Sequence, residues 1–179
     1  MKGSIRRTVF GITEFAPIIV FGYLASADSV DLRERFLIGG MLALTILVTN
    51  RVIKWHMNSL ALATNIFLLI EGLAFTIFIE VIAIVQGFLR ESAIFIVAFV
   101  IGLIRTIVSP CGFLDVEAED PSAVKRGSVY LLVAVLGGLG MSILFRGQER
   151  LSAALPFIVL LFLQRVLREN LRKGMAANE

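Results

Sequence analysis

Apolar residues run along this chain in six blocks, separated by short clusters of charged residues. The blocks are about Thr8–Ala27, Phe36–Ile53, Leu60–Val85, Ser92–Val108, Val129–Phe145 and Leu151–Leu167. About 20 apolar residues cross a hydrocarbon core as a helix. Several blocks fall short of that, and snorkelling arginines or a locally thinned bilayer would accommodate them. Phe36–Asn50 and Ser92–Ile104 are the weakest spans, with a re-entrant or tilted segment as the alternative there. The pattern predicts an all-α polytopic integral membrane protein of about six transmembrane helices, arranged as three hairpins in a single domain over residues 1–179. A polar loop is expected over 109–127 and a basic tail over 168–179.

Composition agrees. The 179 residues are 58% hydrophobic and 17% charged, with a mean hydropathy of +0.89. A soluble domain is roughly 45–50% apolar and 25% charged. Lys2, Arg6 and Arg7 precede an apolar run ending in Ala25-Ser26-Ala27, as in a signal peptide. Glu14 and Pro17 interrupt that run, so a retained first helix is expected. Of the 17 Lys and Arg, 12 fall to the side of the two termini and 5 to the other. The positive-inside rule then places both termini in the cytoplasm, and the expected location is the cytoplasmic (inner) membrane of a prokaryote. The basic residues read as topology signals and headgroup contacts rather than as a nucleic-acid surface.

Ionisable residues inside spans are costly and are functional candidates by default. Glu71 lies in the middle of Leu60–Val85, roughly 17 Å deep, and is the leading candidate for a protonatable pathway group. Glu14 and Arg105 sit at compatible depths and form the best pair by depth; Glu80 approaches the outer interface. That pairing leaves Glu71 with Asn65, Thr76, Thr45 or Ser142 as polar neighbours. Glu14, Glu71, Glu80 and Arg105 are therefore candidates either for a pathway or for locking helices together. Gly137, Gly138, Gly140 and Ser142 would let helices approach closely, within the chain or between copies of it, and Pro17 and Pro156 would kink their helices. Asp115, Glu117 and Glu119 are weak candidates for a divalent cation in an otherwise solvated loop. The single Cys111 and single His56 cannot build a zinc cluster, and no nucleophile–base pair or cofactor motif is visible.

Internal similarity is also present. Glu14 and Glu71 are 57 positions apart, as are Leu32-Arg33-Glu34 and Leu89-Arg90-Glu91, and a duplicated hairpin or the recurrence of equal charged turns would each produce that. Glu80-Val81-Ile82-Ala83, Leu89-Arg90-Glu91 and the helix closing on Arg105-Thr106-Ile107-Val108 together resemble the phosphate-starvation-inducible membrane proteins of the PsiE type. Ser109-Pro110 stands where that resemblance implies an acidic residue, and the six blocks exceed the four helices it implies. Glu14-Phe15-Ala16-Pro17 with Ile18-Ile19-Val20-Phe21 is similar to the opening of intracellular septation protein A. Neither resemblance implies a catalytic residue. Two functions stand side by side: a transporter or channel-like protein using Glu71, and a non-catalytic scaffold or accessory subunit of a larger membrane complex. The expected partners are the bilayer, anionic lipids at the basic tail, and a second copy or other membrane subunits, with no cofactor. An enzyme ranks third.

Overall fold

A computed structural model describes residues 13–25, 30–54, 57–77, 92–117, 120–148 and 150–176. Among these the protein is all-helical, with six α-helices: α1 Ala16–Ala25, α2 Leu32–Ile53, α3 Ser59–Ile77, α4 Ser92–Val108, α5 Pro121–Leu144 and α6 Leu155–Ala176. Four helical segments are long and apolar enough to cross a membrane: Leu32–Ile53, Ser59–Ile77, Pro121–Leu144 and Leu151–Leu171. Helices α1 and α4 are apolar but shorter. The chain divides into two compact units, Met1–Phe88 and Leu89–Glu179, each contributing three of these helices.

Local chemistry moves several helix ends away from the edges of the hydropathy blocks. Asp31 caps α2 by accepting the Glu34 N–H at 2.8 Å, so Leu32-Arg33-Glu34-Arg35 forms the first turn of a helix rather than a loop. Asp120 likewise accepts the Ser122 N–H at 2.8 Å, and Pro121 opens α5 where its missing donor is harmless. The helix thus starts well before the expected Val129 and takes in Lys125 and Arg126. The basic tail continues α6 as a helix to Ala176 instead of leaving it at Leu167. Pro17 does not kink a continuous helix: the turn at Glu14-Phe15 interrupts the chain first, and Pro17 falls in the opening turn of α1. Before Pro156 the chain winds as a five-residue π turn, Arg150–Ala154, the wider winding found where a regular helix is interrupted.

In the first unit α2 and α3 cross at bare backbone. A Cβ on Gly72 would lie 2.8 Å from the Phe36 carbonyl oxygen, and one on Gly40 would lie 3.0 Å from that of Leu68. Phe36 anchors the same crossing. Its ring stacks on Phe75 at 5.2 Å and meets Phe67 edge-on at 6.1 Å, while Phe21 of α1 packs against it at 4.7 Å. In the second unit α5 packs against both neighbours. Gly138 receives Phe95 of α4, and Ser142 pairs its hydroxyl with that of Ser92 at 3.1 Å. Gly137 and Gly140 have nothing near their Cβ positions among the described residues.

Candidate functional site

The segment after α4 is the most constrained irregular backbone in the second unit. Cys111, Phe113, Leu114 and Val116 are buried, with Phe113 and Leu114 fully enclosed, so the expected solvated loop is instead an inserted turn. The sequence allows this at two residues. Gly112 and Asp115 adopt left-handed backbone, with φ of +58° and +52°, and Gly and Asp tolerate that region better than branched side chains do. Small residues make the room. A Cβ on Gly102 would lie 2.7 Å from the Phe113 ring, and one on Gly127 would lie 2.5 Å from Leu114 Cδ1.

Buried irregular backbone needs partners. Neighbouring helices supply them. Phe113 N–H donates to Ser128 Oγ of α5 at 3.0 Å, and Gln164 Nε2 of α6 donates to the Phe113 carbonyl at 3.4 Å. Arg168 Nε donates to the Leu114 carbonyl. The turn closes on itself through Gly112 N–H to Ser109 O at 3.0 Å and Val116 N–H to Cys111 O at 3.3 Å.

The Asp115 carboxylate then draws in two arginines from different helices. Arg105 Nη1 of α4 lies 3.3 Å from Oδ1, and Arg168 Nη2 of α6 lies 3.1 Å from Oδ2. The Asp115 side chain is 9% exposed, whereas the two arginines are 23% and 24% exposed. One carboxylate thus faces two guanidinium groups at the boundary between interior and surface. Both of its oxygens are engaged by arginines. Glu117 is exposed, Glu119 lies outside the described residues, and no group of three His, Cys, Asp or Glu comes together among those described.

Glu14 occupies a corresponding place in the first unit. The residue is 3% exposed, and Oε2 accepts the Asn58 N–H at 3.0 Å, at the entrance to α3. Asn58 in turn caps that helix through Oδ1 to Leu60 N–H at 2.9 Å. Negative charge is favoured at a helix N-terminus. Asn65 Nδ2 holds the Glu14 carbonyl at 2.9 Å and also bonds the Ala61 carbonyl at 2.7 Å. Within its own unit Glu14 thus serves the entrance to α3, as Arg105 serves Asp115 within the other. Asn65 Oδ1 and Asn50 Nδ2 are buried with no hydrogen-bond partner among the described residues.

Glu71 is half-buried on α3, next to the Gly72 crossing, and interacts within the chain. The four polar neighbours expected for it are engaged elsewhere. Thr45 bonds Met41 O, Thr76 bonds Gly72 O, Ser142 pairs with Ser92 and Asn65 holds Glu14. Glu80 lies outside the described residues, as do Leu89-Arg90-Glu91 of the possible repeat. Its other pair, Glu14 and Glu71, sits in unlike settings, a turn before α1 and the interior of α3. Ser128 and Gln164 are site residues that hydropathy alone passes over. The available signal was spacing: Gln164 precedes Arg168 by one helical turn on the same face of α6. No family model, curated protein or solved structure matches the chain.

Proposed function

We propose that this protein is a multi-pass membrane scaffold or accessory subunit, non-catalytic, whose charges inside and beside the spans hold turns and helices together. The observation that carries the reading is Asp115, bonded to Arg105 of α4 and Arg168 of α6 at once. A charge set used this way fixes geometry and is not positioned to cycle between states. Both termini are cytoplasmic in this proposal, and the expected likeness to the PsiE-type proteins remains part of it. Single cysteines placed near Asp31 and near Asp120, in a Cys111→Ser background, should react with an impermeant reagent from opposite sides of the membrane.

A second reading, transport through Glu71, is supported by Asn65 Oδ1 and Asn50 Nδ2. Bare polar atoms buried in the same unit as Glu71 are where water enters a protein. Proton flux into vesicles carrying the reconstituted protein separates the two. The scaffold reading expects flux equal to that of empty vesicles. A pH-dependent flux that Glu71→Gln abolishes, with folding intact, overturns it in favour of transport.

A further inference from the structure

We infer that Arg105 and Arg168 form a binding site for a phosphate anion, filled in the membrane by the headgroup of an anionic phospholipid. The inference rests on the multi-pass reading and assigns a ligand to residues that reading treats only as a lock.

Charge is the first argument. Two guanidinium groups meet the Asp115 carboxylate, so these three groups together carry a net positive charge, whereas Arg165 one turn earlier on α6 faces Glu169 at 2.9 Å. Donor geometry is the second. Among the described residues Arg105 commits only Nη1, to Asp115, which leaves its Nε and Nη2 edge for another acceptor. That planar edge matches two oxygens of a phosphate. Access is the third: roughly a quarter of each arginine side chain is open, while the carboxylate behind them is nearly closed off.

The surroundings choose between a lipid and a free phosphate. Ile104, Ile107 and Val108 flank Arg105 and are 54%, 71% and 76% exposed, and Phe162 of α6 is 67% exposed. Such side chains at the end of an apolar helix face acyl chains. A lipid brings its own tail to lie along them and presents its phosphate at the depth where a helix leaves the hydrocarbon. A soluble phosphate has nothing to place there. The C-terminal carbonyls of α4 disfavour an anion, but the Ser109 N–H already bonds the Arg105 carbonyl at 2.9 Å, and two full positive charges outweigh the fractional charge of a helix end.

The test uses the full chain in phosphatidylcholine vesicles containing spin-labelled phosphatidic acid or spin-labelled phosphatidylcholine, reading the motionally restricted fraction of each. Wild type should prefer phosphatidic acid. Arg105→Gln should reduce that preference about five-fold. Arg165→Gln, which removes an exposed and already balanced charge, should change it by less than about two-fold. Asp115→Asn is the decisive variant. It keeps a residue that tolerates left-handed backbone and removes the internal competitor for the arginines, so the preference should rise. Equal losses in Arg105→Gln and Arg165→Gln, or no rise in Asp115→Asn with helix content unchanged by circular dichroism, would overturn the site. Displacement of the labelled lipid by millimolar inorganic phosphate would overturn the lipid as occupant. Alkaline carbonate extraction is measured alongside. Release of the chain overturns the membrane reading itself, and retention without lipid preference overturns the site alone.

Discussion

Adding one methyl group at Gly72 tests the crossing that organises the first unit. Its Cβ would sit 2.8 Å from the Phe36 carbonyl oxygen and 3.2 Å from Gly40 Cα. Both are backbone atoms, so no side chain can rotate out of the way. The two helices must part by roughly half an ångström, and a gap of that size forfeits about a quarter of the dispersion attraction of each contact across it. Phe36, Ala43, Leu68 and Phe75 are buried along this interface and feel the change together. Overpacking of this kind costs about 1–3 kcal/mol. Replacing Gly by Ala in a helix returns about 1 kcal/mol. Gly72→Ala should therefore lose up to about 2 kcal/mol. Gly137→Ala meets nothing within 4 Å and should gain up to about 1 kcal/mol from propensity alone. Equilibrium unfolding by dodecyl sulfate in mixed micelles, followed by helical circular dichroism, measures both. Equal stabilities for the two variants would show that α2 and α3 do not cross on bare backbone.

In the second unit, Asp115→Ala should lose roughly 2–3 kcal/mol in the same titration, less than a fully enclosed pair because both guanidinium groups reach the surface; a loss below about 1 kcal/mol would mean that the lock does not hold the turn. Gly112→Ala combines left-handed backbone with a collision against Ser128 Oγ and should lose at least about 2 kcal/mol. The double variant Gly112→Ala/Ser128→Ala should lose less than the sum of the singles, because removing the hydroxyl relieves that collision; strict additivity would contradict the contact. The Ser122 hydroxyl, then its backbone N–H, hold the Asp120 carboxyl below the usual aspartate range. A depressed folded-state pKa gives a stabilising contribution that is present above the unfolded pKa and is lost as pH falls through the folded one. Ser122→Ala should raise the Asp120 titration midpoint, read by carboxyl-carbon NMR, and an unmoved midpoint would remove the hydroxyl as its cause.

Hydropathy located the helices because burial in lipid needs long apolar runs, and α4 over Ser92–Val108 matches its block at both ends. It misplaced the ends that polar caps set. Asp31 and Asp120 begin helices inside segments that look like loops by charge, since a cap is a single hydrogen bond and leaves no trace in average hydropathy. The site was half legible. Arg105 and Asp115 stood out as candidates, Arg105 beside Glu14 by depth and Asp115 for a cation by carboxylate spacing, but their bond to each other did not. The decisive feature is the left-handed backbone at Gly112 and Asp115, which turns a polar-looking loop inward and carries the carboxylate to the arginines. No periodicity announces such a reversal. Ser128 and Gln164 gain their roles only once that turn exists.

The two units handle interrupted backbone in the same way. In lipid-buried structure, every carbonyl that leaves a helix needs a donor, and water is not at hand. The turn at Glu14 and the turn at Phe113 each expose such a carbonyl. Each is met by a side-chain carboxamide 51 positions downstream, Asn65 on α3 for Glu14 and Gln164 on α6 for Phe113. A charge then completes each turn: the Glu14 carboxylate at the entrance to α3, and Asp115 between Arg105 and Arg168. Glu14, Asn65, Asp115, Gln164 and Arg168 are thus accounted for as partners of irregular backbone before any pathway is invoked. An intramembrane carboxylate becomes evidence for transport only where this structural demand is absent. Glu14 and Asp115 fail that condition. Glu71 interacts within the chain but lies inside the regular helix α3, away from both turns, so the flux of Glu71→Gln probes a carboxylate that closes no turn and decides between scaffold and transporter.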